Sequence, residues 1–156
     1  MAKELSFRWA EAGDFEAVLS LATQLAHHIE EKTPSLTPSD FATYHLGPEA
    51  PMRLRLAIDD GRVVGMISWT LMHELYCGKK RVFISDVSVD RAARGRGVGI
   101  ALMAEVKAWA QAHGAAKLTW EVWYRNASAK TFYEQLGATV DDEAVPYGLM
   151  LTDGAG

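Results

Sequence analysis

The spacing of apolar residues changes between strand and helix periods along the chain, and these changes predict the order of its first elements. Ser6–Trp9 has the pattern of a short strand. From Phe15 to Ile29, apolar residues recur every three or four positions, which indicates a helix with Asp14 placed to cap it. Two prolines in Thr33–Pro38 interrupt this pattern. A second, shorter helix is expected to begin at Ser39 or Asp40 and to run through Leu46.

The middle of the chain predicts an antiparallel meander. Met52–Ile58 and Arg62–Leu75 are rich in β-forming residues, and Asp59-Asp60-Gly61 between them is a hairpin-type turn. A further strand is expected at Val82–Val89, which leads through small and basic residues into a helix. The remaining elements are expected in this order: a helix at Val98–His113 ended by Gly114, a strand at Lys117–Trp123, a helix opened by Asn126 and ended by Gly137, and one or two strands within Ala138–Leu151.

Length, charge and cysteine content narrow the class of protein. The 156 residues fit one domain over 1–156, and a net charge of -4 does not indicate a surface that attracts nucleic acid. The only cysteine, Cys77, cannot form an intramolecular disulfide. The first residues lack the apolar stretch of a secretory signal, and no run approaches the about 18 apolar residues of a membrane helix. We therefore expect a soluble, cytoplasmic protein with no nucleic-acid or membrane partner.

The clearest candidate for chemistry is the glycine-rich turn Arg94–Gly99, which joins a strand to a helix. Its glycines let backbone N–H groups approach an anion, and the helix N-terminus and two arginines add positive potential. These features predict a phosphate or pyrophosphate site. A simple strand-to-helix connector is the alternative. The turn lacks the Lys-Ser/Thr ending of a Walker A loop, and its position after an antiparallel meander fits a Rossmann fingerprint poorly.

The same turn resembles the motif Arg/Gln-x-x-Gly-x-Gly/Ala of the GNAT acetyltransferase superfamily, matched here by Arg94, Gly97 and Gly99. A strand ending in Asp86–Val89 precedes the motif and a long helix follows it. A second family segment is matched where Asn126 is followed seven residues later by Tyr133 and then by a Leu-Gly pair. The second half of the chain carries most of this resemblance.

The resemblance implies an α/β (α+β) GNAT fold. Its central sheet would be mixed and mostly antiparallel, with six to seven strands, about four helices on both faces, and a splay at the fourth and fifth strands. It also implies acetyl-CoA as co-substrate and a homodimer as the favoured assembly. The sequence has no His/Cys spacing that indicates a metal site, so no metal is expected. The residues that the resemblance assigns to acetyl-CoA are Val87 and Val89 for the pantetheine arm, Arg94, Gly95, Arg96, Gly97, Val98 and Gly99 for the pyrophosphate, and Asn126.

In the chemistry that the resemblance implies, a neutral amine attacks the thioester carbonyl and coenzyme A leaves as a thiolate. Tyr133 would protonate the thiolate, and backbone N–H groups near Val87 would stabilise the oxyanion. Asp86 is the preferred base or cation anchor, with Glu121 or water as alternatives. Each residue also has a structural explanation: a helix cap for Asn126, core packing for Tyr133 and Val87, and a solvated carboxylate for Asp86.

The acceptor is the least determined part of the prediction. Many small-amine enzymes of this superfamily carry an acidic-Trp-Asn ending where this chain has Tyr124-Arg125-Asn126, so polyamine specificity is not implied. Arg125 favours an acceptor with a carboxylate or phosphonate, and Glu121 and Trp123 are the other candidate substrate-binding residues. The leading hypothesis is a small-molecule primary amine, such as an amino acid. A protein lysine or N-terminus, and a non-catalytic acyl-CoA-binding domain, are the alternatives.

Overall fold

The computed structural model describes residues 4–152, which divide into two compact units between Arg125 and Asn126. The second unit contains helix α4, Ala127–Gln135. The first unit contains the other elements: β1 Ser6–Trp9, a 3-10 turn Ala12–Asp14, α1 Phe15–His28, α2 Pro38–His45, β2 Arg53–Asp59, β3 Arg62–Glu74, β4 Lys79–Val89, a 3-10 turn Arg91–Ala93, α3 Val98–Ala112 and β5 Ala115–Trp120. Whether the chain is one domain stays a prediction.

The sheet of the first unit is mixed and open, with the strands in the order β1-β2-β3-β4-β5. Neighbouring strands are antiparallel except for β4 and β5, which are parallel. The helix α3 connects these two parallel strands, as a parallel connection requires. The antiparallel meander predicted from the sequence is confirmed.

The expected six to seven strands are not confirmed, because residues 4–152 contain five. The missing strands were expected within Ala138–Leu151, which has no regular secondary structure up to Leu151. Its apolar side chains are largely exposed, Tyr147 at 97% and Leu149 at 85%. A β-forming sequence needs a neighbouring strand for its backbone hydrogen bonds, and Pro146 and the acidic run at Asp141 weaken the tendency further.

The turn between β2 and β3 has the conformation that its sequence predicts. Asp60 and Gly61 both have positive φ, 51° and 75°. Positive φ at both central residues matches the right-handed twist of the paired strands, which is why Asp-Gly favours this hairpin. Asp59 and Arg62 form the closing pair of the ladder.

The two faces of the sheet pack against different helices. Leu54, Leu56 and Met66 form a core with Val18 and Leu21 of α1, and with Phe41 of α2. Alternate strand residues face the other way: Trp69 packs against Trp109 of α3, with ring centroids 5.4 Å apart, and Arg55 Nε donates to Glu105 Oε2 at 2.8 Å. Helices therefore cover both faces of this sheet, as expected.

Two helix starts differ from the sequence prediction. Asp14 precedes α1, but its side chain makes no capping bond to that helix. Its carboxylate instead accepts the Glu11 N–H at 2.8 Å and two bonds from Arg8 at 2.7 Å each, so it fastens the 3-10 turn to β1. The second helix begins at Pro38, because the Thr37 side chain accepts the Asp40 N–H and proline fits the first helical turn.

Candidate active site

The glycine-rich turn leaves a helix N-terminus without a side-chain cap. Gly97 is the N-cap of α3, and both Gly95 (φ 75°) and Gly97 (φ 80°) have left-handed backbone. Among residues 4–152, apart from those adjacent in the chain, no atom lies within 4 Å of the position that a Cβ would take on either glycine, so the space beside the turn is open. The left-handed backbone, and not crowding by protein atoms, explains why glycine is required there. The first-turn N–H groups of α3 suit an anion.

Close packing brings this turn onto the sheet. Val98, the first residue of α3, is buried. A Cβ at Gly65 of β3 would lie 3.0 Å from Val98 Cγ1 and 3.1 Å from Leu102 Cδ1. Gly65 therefore allows the start of α3 to approach β3 more closely than any other residue would permit.

The two arginines of the turn have different surroundings. Arg94 Nε donates to the Val89 carbonyl oxygen at 3.1 Å, which fixes the turn to the end of β4. Arg96 Nη2 donates to Asp59 Oδ2 at 2.8 Å, so its charge is shared with the β2–β3 turn. Of the predicted pyrophosphate ligands, Arg96 is thus partly neutralised within the protein, and Arg94 lies at the surface.

Strand β4 loses one neighbour where it approaches this turn. Its parallel pairing with β5 ends at Ile84 and Trp120, although β4 continues to Val89. The pairing of β4 with β3 is irregular at the same place, because Ser68 pairs with Asp86 but Trp69 pairs with Ile84. Residues 85–89, which include Val87 and Val89, therefore have a strand partner on one edge among the described residues. The resemblance implies a splay between these two strands at this position.

A cavity of about 300 Å³ lies on the α1 face of the same strand. Its wall is mostly apolar and includes Val18, Ala22, Ala26 and Ile29 from α1, together with Leu54 and Met66 from the sheet. Its polar lining consists of Glu31, His45, Ser68 and Asp86. A mostly apolar cavity with a few convergent polar groups is the usual form of a small-molecule site.

Asp86 lines the cavity and belongs to the part of β4 that has no β5 partner. Its Oδ2 accepts a hydrogen bond from Ser68 Oγ at 2.9 Å. Two residues further along, Ser88 Oγ donates to the Leu21 carbonyl oxygen at 2.9 Å, which fastens β4 to α1. Because side chains alternate along a strand, Asp86 and Ser88 face α1 whereas Val87 faces the opposite side. No basic side chain pairs with Asp86 among residues 4–152.

His45, at the end of α2, was not identified from the sequence. Its Nδ1 is buried and has no hydrogen-bond partner among the described residues. Burial lowers the pKa of His45 below its usual range, and the negative charge of Asp86 opposes this shift only in part. The ring is therefore neutral at pH 7. Neither His45 nor Ser68 carries a sequence signal, because only tertiary packing brings them to Asp86.

The predicted substrate-binding residues follow β5. Glu121 is exposed and does not line the cavity. Arg125 has its guanidinium 5.9 Å from the Trp123 ring and 5.3 Å from the Tyr124 ring, and its Nη1 lies 3.5 Å from Glu30 Oε2. The charge of Arg125 is thus partly balanced by Glu30, which the sequence did not predict.

The second unit carries the other two predicted site residues. Asn126 Oδ1 accepts the Ala129 N–H at 3.2 Å, which confirms Asn126 as the cap of α4. Tyr133 is half-buried, and its ring lies 5.2 Å from that of Phe132. Burial raises the pKa of the Tyr133 phenol above its usual value near 10, so the phenol keeps its proton at neutral pH.

This α/β protein thus combines a glycine turn at an uncapped helix start with a divergence of β4 from β5 and a mostly apolar cavity, a geometry suited to an anion and a small molecule. The model of the acetyltransferase (GNAT) family matches residues 15–138, and the chain belongs to this family. Members of the family normally use acetyl-CoA as the acetyl donor.

Solved structures with the same fold have different functions in their descriptions. A transcriptional regulator from Bacillus halodurans C-125 superposes with a TM-score of 0.79 at 25% identity, covering 94% of this chain and 100% of that one. An aminoglycoside acetyltransferase from an uncultured soil metagenomic sample, in complex with sisomicin, gives a TM-score of 0.78 at 17% identity, covering 95% and 97%. A ribosomal-protein-alanine N-acetyltransferase from Brucella melitensis gives 0.75 at 18%, covering 94% and 100%.

A search of curated protein sequences gave no match. Across residues 4–152, no helix is long and apolar enough to cross a membrane.

Proposed function

We propose that this protein is an N-acetyltransferase that transfers the acetyl group of acetyl-CoA to the primary amine of a small molecule bound in the cavity beside Asp86. The observation that carries the proposal is the position of Asp86. Its carboxylate lines the cavity, while its own strand, from Ser85 to Val89, has no β5 partner. An amine bound at Asp86 would therefore be adjacent to the backbone at which acetyl-CoA, the acetyl donor of the family, is expected to bind.

The glycine turn fits the pyrophosphate of acetyl-CoA. Space beside Gly95 and Gly97 is open, and the N-terminus of α3 has no side-chain cap among the described residues. Backbone N–H groups of Arg94–Gly99 would hold the pyrophosphate, and N–H groups along Val87–Val89 would hold the pantetheine arm. When bound, acetyl-CoA supplies an acetyl group as a thioester, which is activated toward attack by a neutral amine.

Asp86 has the chemistry to bind an ammonium and to accept one of its protons. A carboxylate attracts the protonated amine, and the hydrogen bond from Ser68 fixes its orientation. Removal of a proton, directly or through water, leaves the amine lone pair able to react. Glu121 is the weaker candidate for this role because it is exposed and outside the cavity lining.

Tyr133 is proposed as the proton donor to the leaving thiolate. Its phenol is protonated at neutral pH, and burial favours that neutral form. A phenol that keeps its proton until a stronger base appears is suited to general acid catalysis. Asn126 is proposed to add a ligand for coenzyme A from the start of the same helix.

The volume of the cavity, about 300 Å³, is at the lower end of the range for small-molecule sites and supports a small acceptor. The cytoplasmic location and the homodimer that the sequence analysis expects stay predictions.

The deciding experiment measures acetyl-CoA-dependent thiol release with a panel of primary amines, comparing the wild type with Asp86→Asn. We expect Asp86→Asn to lower kcat/KM by about 10²- to 10⁴-fold, the usual effect of losing a general base. Glu16→Gln is the matched control, because Glu16 is an exposed carboxylate of α1 outside the cavity lining. Equal activity of Asp86→Asn and the wild type would overturn the role of Asp86. Absence of amine-dependent release across the panel would overturn the function.

A further inference from the structure

We infer that the acceptor is a compact primary amine with an apolar body, one positive charge and no carboxylate. This inference rests on the proposed function and specifies the substrate class of that same cavity. Two independent properties of the cavity lining carry it. Most of the side chains are apolar, and the charged ones are negative.

The wall favours an apolar body. Val18, Ala22, Ala26 and Ile29 of α1 face Leu54 and Met66 across the cavity. These side chains offer a hydroxyl no hydrogen-bond partner except the weakly accepting sulfur of Met66. A hydroxyl or a second ammonium placed against these six side chains would lose its hydration, because the polar groups of the lining belong to other residues. An alkyl or aromatic group gains free energy in proportion to the apolar area removed from water.

The charges favour a single cation. The charged groups lining the cavity are the carboxylates of Asp86 and Glu31, and no lysine or arginine of the described residues lines it. Of these two, Glu31 is exposed, whereas Asp86 is half-buried beside Ser68. His45 adds no positive charge at neutral pH, because burial lowers its pKa. The lining therefore attracts one ammonium at Asp86 and repels a carboxylate on the acceptor.

This lining also decides against the amino-acid acceptor that Arg125 suggested. Arg125 does not line the cavity, and its guanidinium lies beside Glu30. An α-carboxylate next to the reacting amine would lie close to Asp86 with no compensating cation from the lining. Amino acids are consequently expected to be poor acceptors.

The inference is tested by comparing kcat/KM for four acceptors under one acetyl-CoA assay: phenethylamine, ethylamine, phenylalanine and sisomicin. Phenethylamine has an apolar body and one charge, ethylamine lacks most of the body, phenylalanine adds a carboxylate, and sisomicin adds hydroxyls and charges. We expect phenethylamine to exceed each of the others by at least about 10-fold, the smallest discrimination typical of an apolar pocket.

A size variant adds a second readout that does not depend on the panel alone. Ala26 is buried in the cavity wall, so Ala26→Leu shortens the cavity, whereas Ala42 is exposed on α2 and Ala42→Leu is the matched control. We expect Ala26→Leu to raise KM for phenethylamine more than KM for ethylamine, and Ala42→Leu to change neither. Unfolding would lower both activities in proportion and would be seen in the thermal melting curve.

The outcomes separate this inference from the function on which it rests. If sisomicin or phenylalanine is acetylated as well as phenethylamine or better, the acceptor class is wrong while acetyl transfer to amines stands. If Ala26→Leu changes both amines equally without loss of folded protein, the cavity is not the acceptor site. If no amine of the four is acetylated, the proposed function fails together with the acceptor class.

Discussion

Ser68 Oγ donates a hydrogen bond of 2.9 Å to Asp86 Oδ2 across a register pair of β3 and β4. The next pair along β3 skips one residue of β4, so this bond lies at the irregularity where β4 also loses β5. Such irregularities often redirect a side chain at an active site. The bond holds in place a carboxylate that lines a mostly apolar cavity.

Removing the Ser68 hydroxyl, which donates this hydrogen bond, should weaken binding of the amine substrate without changing the affinity for acetyl-CoA. A hydrogen bond to a charged group contributes about 1.5–3 kcal/mol, so Ser68→Ala should lower kcat/KM for the amine by about 10- to 100-fold. The affinity for acetyl-CoA, measured by calorimetry, should stay unchanged. Ser39→Ala is the control, because Ser39 is exposed on α2. A wild-type KM for the amine in Ser68→Ala would show that the bond does not position Asp86.

The pyrophosphate assignment is tested at Gly97. Gly97→Glu places a negative charge beside the uncapped start of α3 and strains a left-handed backbone, so we expect acetyl-CoA to bind at least about 10-fold more weakly. Gly78→Glu is the matched control, because Gly78 also has a left-handed backbone (φ 68°) with open space around it but lies in the β3–β4 turn. Calorimetry with acetyl-CoA on both folded variants measures the difference. Equal weakening in the two variants would assign the effect to backbone strain.

Tyr133→Phe separates chemistry from cofactor binding. We expect kcat to fall by about 10²- to 10⁴-fold with little change in the affinity for acetyl-CoA. Because the folded pKa of Tyr133 is raised, wild-type activity should not decline near pH 10 through ionisation of this phenol. Tyr147→Phe, at a side chain 97% exposed, is the control and should behave as the wild type. Full activity of Tyr133→Phe would remove this residue from the mechanism.

His45 should make the folded state sensitive to mild acid. Its folded pKa lies below the value of 6.5 for a free histidine, mainly through burial. The unfolded chain therefore binds a proton more readily, and the free energy of unfolding should decrease as the pH falls below about 6.5. Denaturant unfolding between pH 7.5 and 5 measures this slope. His45→Gln should reduce the dependence of the free energy of unfolding on pH, whereas His27→Gln, at an exposed site, should not. An unchanged dependence in His45→Gln would contradict His45 as the cause of the acid sensitivity.

The two ion pairs of different exposure should differ in their contribution to stability. Asp14 is buried and accepts bonds from Arg8 and from the Glu11 N–H, and the Arg8 bond is the main cause of its lowered pKa. Asp14→Ala should therefore cost about 1–3 kcal/mol. The Glu30 side chain beside Arg125 is 67% exposed, so Glu30→Ala should lower the free energy of unfolding by less than about 1 kcal/mol. Equal melting temperatures for the two variants would refute the difference.

The parts of the fold that follow from local pattern were predicted well. The hairpin at Asp59-Asp60-Gly61 and the Asn126 cap depend on turn and capping preferences that act within a few residues. The helix α3 was expected to end one residue later than it does. By contrast, one or two strands within Ala138–Leu151 and a total of six to seven strands were expected from the end of the chain and from the family resemblance, and neither shows whether a neighbouring strand is available to this segment.

The candidate site was predictable only where backbone conformation dictates the residue. Glycine at positions 95 and 97 reports left-handed backbone, so the turn is visible in the sequence. Ser68 and His45 come to Asp86 from residues 18 and 41 positions earlier in the chain, and no local pattern encodes that meeting. The charges of Arg96 and Arg125 were expected to serve ligands, but Asp59 and Glu30 lie beside them.

The alternation along β4 has a consequence for how this protein could acquire a new specificity. Asp86 and Ser88 face α1, whereas the side chain of Val87 between them faces the opposite side of the sheet. Acetyl-CoA is expected to contact the backbone of this segment and not its valine side chains. Substitutions on α1 at Ala22, Ala26 or Ile29 would thus reshape the cavity proposed for the acceptor and leave the backbone proposed to bind acetyl-CoA unchanged. Directed evolution of the acceptor range can be confined to one helix.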